Sequence, residues 1–161
     1  MDHLQTELNY DAGVDDVFSM LCDEDFRKQV CEATNARSYD VSATPSGAGA
    51  EVRVSRLLPA PEVAKKLVGD TIEVLQVEKW AGPAADGTRT AELTVEVPGK
   101  PASMRGTIVL APGAAGATES FDGDVTVKVP VVGAKMEQQI TGALIAAIEQ
   151  EGKVGARWLA G

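Results

Sequence analysis

The sequence predicts an α+β fold in which an antiparallel sheet of six to seven strands is closed by one long C-terminal helix. Three observations carry this expectation. From Arg37 the apolar residues alternate with a period of two for about ninety residues, and the breaks between runs are rich in Pro and Gly. After Pro130 the period changes to that of a helix and holds as far as Trp158. Ahead of the alternating region, a first strand is followed by two short helical stripes.

Between His3 and Asn9, Leu4, Thr6 and Leu8 share one face and Gln5, Glu7 and Asn9 the other, which is the pattern of a half-buried strand. Asp11 to Gly13 ends it. Val14, Val17, Phe18, Leu21 and Cys22 then fall at spacings of three and four, and a second short helix is predicted from Glu24 to Ala33 with Phe26, Val30 and Cys31 inside. Asp23 and Glu24 suit a helix end followed by an acidic first turn. The predicted strands run from Ser38 to Thr44, Glu51 to Leu58, Thr71 to Trp80, Thr88 to Val97, Ser103 to Ala111 and Thr118 to Lys128. Turn chemistry separates them, as in Pro45-Ser46-Gly47, Gly82-Pro83, Pro98-Gly99-Lys100-Pro101 and Pro112-Gly113, and such short connections make antiparallel neighbours. Glu62 to Val68 breaks the alternation with Val63, Ala64, Leu67 and Val68 at helical spacing, as a short flap helix would. In the closing helix, from about Val131 to Trp158, Met136, Ile140, Leu144, Ala147, Glu151, Val154 and Trp158 fall within about 40° of one direction. Gly133, Gly152 and Gly155 predict a kink or fraying toward its end.

A chain of 161 residues is sized for a single domain, expected here over 1–161, and can bury one core without disulfide staples. Fifteen Lys and Arg against twenty-four Asp and Glu give a net charge of −9, which argues against nucleic acid and anionic lipid surfaces as partners. Aromatics are only 4%, too few for a stacking platform. The first residues, MDHLQTELNYD, carry two acids and no basic, apolar run, and no stretch approaches the roughly 20 apolar residues of a membrane span, so a soluble, cytoplasmic protein is expected. Cys22 and Cys31 read as core thiols.

Candidate chemistry is sparse. A Ser-His-Asp or Cys-His device would have to use His3, the lone histidine, which sits at the start of the first strand. Metal-ligand spacings, dinucleotide loops and Walker loops are absent, so no metal or cofactor is expected. Asp122-Gly123-Asp124 lacks the remaining ligands of a calcium loop and reads as a bulge at Gly123 with its acids in water. Glu151 is the informative residue: a carboxylate in the middle of the apolar stripe needs a partner, for which Arg53, Arg56 and Arg105 are the strand candidates. Trp80, Met104, Phe121 and Trp158 are the large or soft groups available to core or pocket.

The order strand, two short helices, six antiparallel strands and one long helix resembles the helix-grip fold of the START-like (SRPBCC) superfamily. That superfamily includes lipid-transfer START domains, polyketide cyclases and the birch pollen allergen. The local carriers are the first strand leading into Val14-Asp15-Asp16-Val17-Phe18-Ser19-Met20-Leu21 and the stretch Val129-Pro130-Val131-Val132-Gly133-Ala134-Lys135-Met136-Glu137. With Glu151 and Trp158-Leu159 downstream, that stretch looks like an uncharacterised bacterial branch, a domain of unknown function. The resemblance implies a curved sheet wrapped around the long helix, a cavity between them that often holds a lipid, sterol, quinone-like or polyketide molecule, and no universal catalytic residue. The walls are expected from Val95, Met104, Ile108, Phe121, Ile140, Leu144 and Ala147, with Glu151 as the polar handle. Leu144 is expected to be buried deeply enough that Leu144→Asp unfolds the domain. The leading functional expectation is a binder of a hydrophobic small molecule rather than an enzyme. A cyclase- or hydrolase-like enzyme using Glu151 with an arginine, and a protein-partner module using a sheet edge or the long helix, are the alternatives; oligomeric state is left open.

Overall fold

The alternating region folds as the pattern predicts. In the computed structural model, which describes residues 1–161, β1 (Asp2–Tyr10) is followed by α1 (Val14–Leu21) and α2 (Glu24–Ala33). Then come β2 (Ser38–Ser46), β3 (Gly49–Pro59), a 3-10 turn (Glu62–Ala64) running into α3 (Lys65–Val68), β4 (Thr71–Trp80), β5 (Arg89–Glu96), β6 (Ala102–Pro112), β7 (Ala117–Val127) and α4 (Gly133–Leu159). The Asp23 carboxylate caps α2 by accepting from the Asp25 and Phe26 amides, so the paired acids between the helices do start a new helix.

One sheet of seven strands results, in the order β1-β7-β6-β5-β4-β3-β2, with every neighbouring pair antiparallel. The strands β2 to β7 form a meander, and β1 joins it beside β7. The sheet is curved, and α4 lies across its concave face, which is the helix-grip architecture. Parity assigns the faces: even positions in β1, β3, β4 and β6 point inward with Leu4, Val52, Val54, Val74, Met104 and Ile108, while odd positions do so in β5 and β7 with Leu93, Phe121 and Val125.

Three local expectations are corrected. The helix begins at Gly133, not Val131, because Val131 sits in the left-handed region (φ 70) and cannot continue a right-handed turn. It then runs unbroken to Leu159, without a break at Gly152 or Gly155. Those glycines mark close approach instead: a Cβ on Gly152 would lie 2.9 Å from Leu8 Cδ2, and one on Gly155 would lie 2.7 Å from Tyr10 Cε1 and 3.1 Å from Met20 Cε. The expected bulge at Gly123 is also absent. Pairing on both sides is regular, and Gly123 faces Gly106 across β6 and β7, where a Cβ on either would run into the opposite backbone. Asp122 and Asp124 do face water, where His3 Nδ1 lies 3.1 Å from Asp124 Oδ1.

The two kinds of helical glycine give a paired test. Gly155→Leu should destabilise the fold by about 1–3 kcal/mol through overpacking, whereas Gly142→Ala, exposed and with open space at its Cβ, should stabilise it by about 0.5–1 kcal/mol. Urea midpoints of the two variants check both signs; a Gly155→Leu protein as stable as the parent would contradict the close approach.

Candidate functional site

Four of the five buried charged side chains cluster beneath α4: Arg27 is 2% exposed, Glu78 2%, Glu119 1% and Glu151 7%, while the fifth, Glu137, pairs with the N-terminal amine. Charges that far from water must be paired. Arg27, on the inner face of α2, donates from Nη2 to Glu78 Oε1 (2.8 Å) and from Nη1 to Glu78 Oε2 (3.1 Å), a bidentate pair. The same Nη1 donates to Glu151 Oε1 at 3.2 Å, and Nε donates to the Leu21 carbonyl at 2.7 Å. Glu78 also accepts from Gln76 Nε2 (2.6 Å) and Trp80 Nε1 (3.0 Å). Gln76 in turn accepts from Arg56 Nη2 at 2.8 Å, so the network runs from α4 through α2 and β4 to β3.

The partner of Glu151 is therefore Arg27, not one of the three strand arginines. Arg53 and Arg105 lie on the outer face and pair with Glu51 (3.3 Å) and Glu96 (3.2 Å). Arg56 points inward but bonds to Gln76 and to Thr34 Oγ1 (3.3 Å).

Three carboxyls around one arginine leave an excess of acid. Burial pushes the Glu119 carboxyl well above the usual glutamate range, and the Glu151 and Glu78 charges push it further. Burial raises Glu151 as well, although Arg27 opposes the shift. Burial works against the Arg27 charge, but Glu78 and Glu151 more than offset it and hold the guanidinium ionised. Burial, with Glu119 beside it, keeps Tyr10 a phenol, whose hydroxyl reaches Glu119 Oε1 at 3.4 Å.

Above this network, between sheet and helix, lies a cavity of about 520 Å³. Its sheet wall is Leu58, Ile72, Val74, Val95 and Met104; its helix wall is Ile140, Ala143, Leu144, Ala146 and Ala147. The rim is built by Ala33 to Asn35 and by Pro59 and Pro61, next to the flap. Thirteen of the twenty lining residues are hydrophobic, and Arg56 is the one charged residue among them. A smaller inner chamber of about 50 Å³ lies toward the buried charges, lined by Leu4, Val30, Gln76, Phe121, Ile148 and Glu151 among others. Arg56, Val95, Met104, Leu144 and Ala147 form walls of both chambers.

Of the residues singled out from the sequence, Val95, Met104, Ile140, Leu144 and Ala147 line the main cavity, and Phe121 and Glu151 line the inner one. Ile108 lines neither and is fully buried in the core. Leu144 is half-buried at the boundary of the chambers rather than enclosed in the core. Trp80 packs edge-on to Phe18 (5.5 Å) and Trp158 edge-on to Phe26 (5.8 Å), both away from the cavity. Arg27, Glu78 and Glu119 were missed, although phase could have found them. Glu78 alternates with Val74 and Trp80, Glu119 with Ala117 and Phe121, and Arg27 adjoins Phe26 on the stripe of Val30 and Cys31.

A curved antiparallel sheet gripping a C-terminal helix over an apolar cavity defines the helix-grip fold. The chain belongs to the family described as "Protein of unknown function (DUF2505)", which matches residues 5–159. Solved structures share the fold at low identity. The protein TTHA0849 from Thermus thermophilus is 16% identical, with a TM-score of 0.66 over 97% of this chain and 95% of that one. A STAR-related lipid transfer protein from Xanthomonas axonopodis is 16% identical, with a TM-score of 0.56 over 91% and 84%. The di-domain ARO/CYC StfQ of the steffimycin biosynthetic pathway is 13% identical, with a TM-score of 0.62 over 96% of this chain and 50% of that protein. No curated protein sequence matches the chain. No helix is long and apolar enough to cross a membrane.

Two outcomes test the buried network. Arg27→Met, which leaves Glu78 and Glu151 without their cation, should cost about 3–5 kcal/mol in urea unfolding. The raised carboxyls set the sign of the pH dependence. Folded Glu119 keeps its proton where the unfolded chain has released it, so its contribution is full below about pH 4.5 and is lost as pH rises toward the folded value. The parent should therefore lose stability as pH rises above that point, and Glu119→Gln should flatten the slope; equal slopes in thermal melts would contradict the assignment.

Proposed function

We propose that this protein binds a hydrophobic small molecule, lipid-, sterol-, quinone- or polyketide-like, in the cavity between the sheet and α4. The observation that carries the reading is the cavity itself: about 520 Å³, walled largely by aliphatic side chains, with few polar groups. That size and character suit a buried apolar ligand. The fold is shared with the STAR-related lipid transfer protein and with the di-domain ARO/CYC StfQ of the steffimycin biosynthetic pathway, which supports the same class of ligand. Val95, Met104, Ile140, Leu144 and Ala147 would touch the bound molecule, with Phe121 at the inner end. Glu151 serves as a structural partner of Arg27 first and as a wall of the inner chamber second, which favours binding over acid-base chemistry by this carboxyl.

Filling the cavity tests the reading. Leu144→Trp projects a large side chain into both chambers from a half-buried helix position. Titration with the neutral fluorescent probe N-phenyl-1-naphthylamine should show binding to the parent and a loss of about tenfold or more in the variant, a difference of about 1.4 kcal/mol, with the circular dichroism spectrum unchanged. A parent that fails to bind apolar probes, or a variant that binds them equally well, would overturn it.

A further inference from the structure

Two arginines lie beneath α4, and only one of them is neutralised. Arg27 is matched by two carboxylates. Arg56, on the inward face of β3, is matched by none: Nη2 donates to the neutral amide of Gln76, Nη1 donates to the hydroxyl of Thr34, and the Nε–H is shielded from solvent with no partner. A buried donor left unmade is costly, more so on a charged group. Glu151, the other charged wall of the inner chamber, is held by Arg27 at 3.2 Å and makes no bond to Arg56.

Arg56 is also placed where a ligand would meet it. It is the one charged residue of the apolar cavity, and it is shared with the inner chamber, whose volume of about 50 Å³ has room for about three or four waters or a small head group. With one hydrogen of each Nη engaged, the guanidinium keeps a second hydrogen on each Nη that can donate to a carboxylate. The chain as a whole carries a net charge of −9, so this cation does not belong to a generally basic surface.

From this juxtaposition of an unpaired guanidinium and an apolar chamber, we infer that Arg56 anchors the carboxylate head group of an amphipathic acid whose tail occupies the main cavity along Leu58, Ile72, Val74 and Ile140. The inference rests on the cavity being a ligand site and adds the ligand's class and orientation, head inward and tail toward the flap.

Decanoate and decan-1-ol share a tail and differ in head group, so isothermal titration of both at pH 8 separates the two ideas. The parent should bind decanoate about tenfold more tightly than the alcohol, as a charge-assisted hydrogen bond provides. Arg56→Gln should abolish that preference while leaving decan-1-ol affinity within about twofold, and Arg56→Lys, which keeps the charge without the fork, should retain part of it. Equal affinity of the parent for both probes, or a preference that survives in Arg56→Gln, would overturn the anchor alone. Should Arg56→Gln bind neither probe, the parent's preference and its partial retention in Arg56→Lys decide the matter. A parent that binds neither would overturn the ligand site as well.

Discussion

Arg27 has to be ionised and out of water at once, and that requirement organises the structure around it. Removing a guanidinium from water costs several kcal/mol, recovered only with well-placed partners. Here they come from three directions: the Leu21 carbonyl at the end of α1, Glu78 on β4 and Glu151 on α4. Helix, sheet and closing helix therefore have to meet at one point with hydrogen-bond precision. Trp80 and Gln76 hold Glu78 from the sides, so the carboxylate has little freedom to follow a misplaced arginine.

The cavity follows from where α4 is pinned. Its C-terminal half is clamped against β1 through Gly152 and Gly155, and near its start Met136 packs with Val127 and Ala64. Between these contacts the apolar stripe is only half-buried at Ile140, Leu144 and Ala147, because it spans the concave sheet over β3 to β6 without touching bottom everywhere. Small residues such as Ala143, Ala146 and Ala147 leave that space open, and the two tryptophans are committed to packing elsewhere. Close packing is the rule in protein interiors. A void of this size maintained between two clamped ends is thus a feature of the design of the fold.

Much of this was legible. Thr71 to Trp80 and Glu24 to Ala33 were bounded correctly because alternation and helical spacing are set by local geometry, and turn residues punctuate them. Glu151 stood out because a carboxylate in an apolar stripe violates the pattern. Its partner did not, since pairing across 124 residues depends on how α2 docks, which no local period records. Parity would have excluded Arg53 and Arg105, which share the outward phase of their strands, and it would have flagged Glu78 and Glu119. The helical glycines were misread because the same residue breaks a solvated helix and permits close contact in a packed one; only the position of Tyr10 and Leu8 decides. Ile108 shares the inward face with Met104, yet it lies where the sheet is fully covered.

Native mass spectrometry of the protein purified gently from its own cells tests the central claim most directly. The account predicts a population carrying one additional small-molecule mass that is released into organic solvent and is absent after denaturation. Polypeptide mass alone, in protein that also fails to take up added apolar molecules, would contradict it.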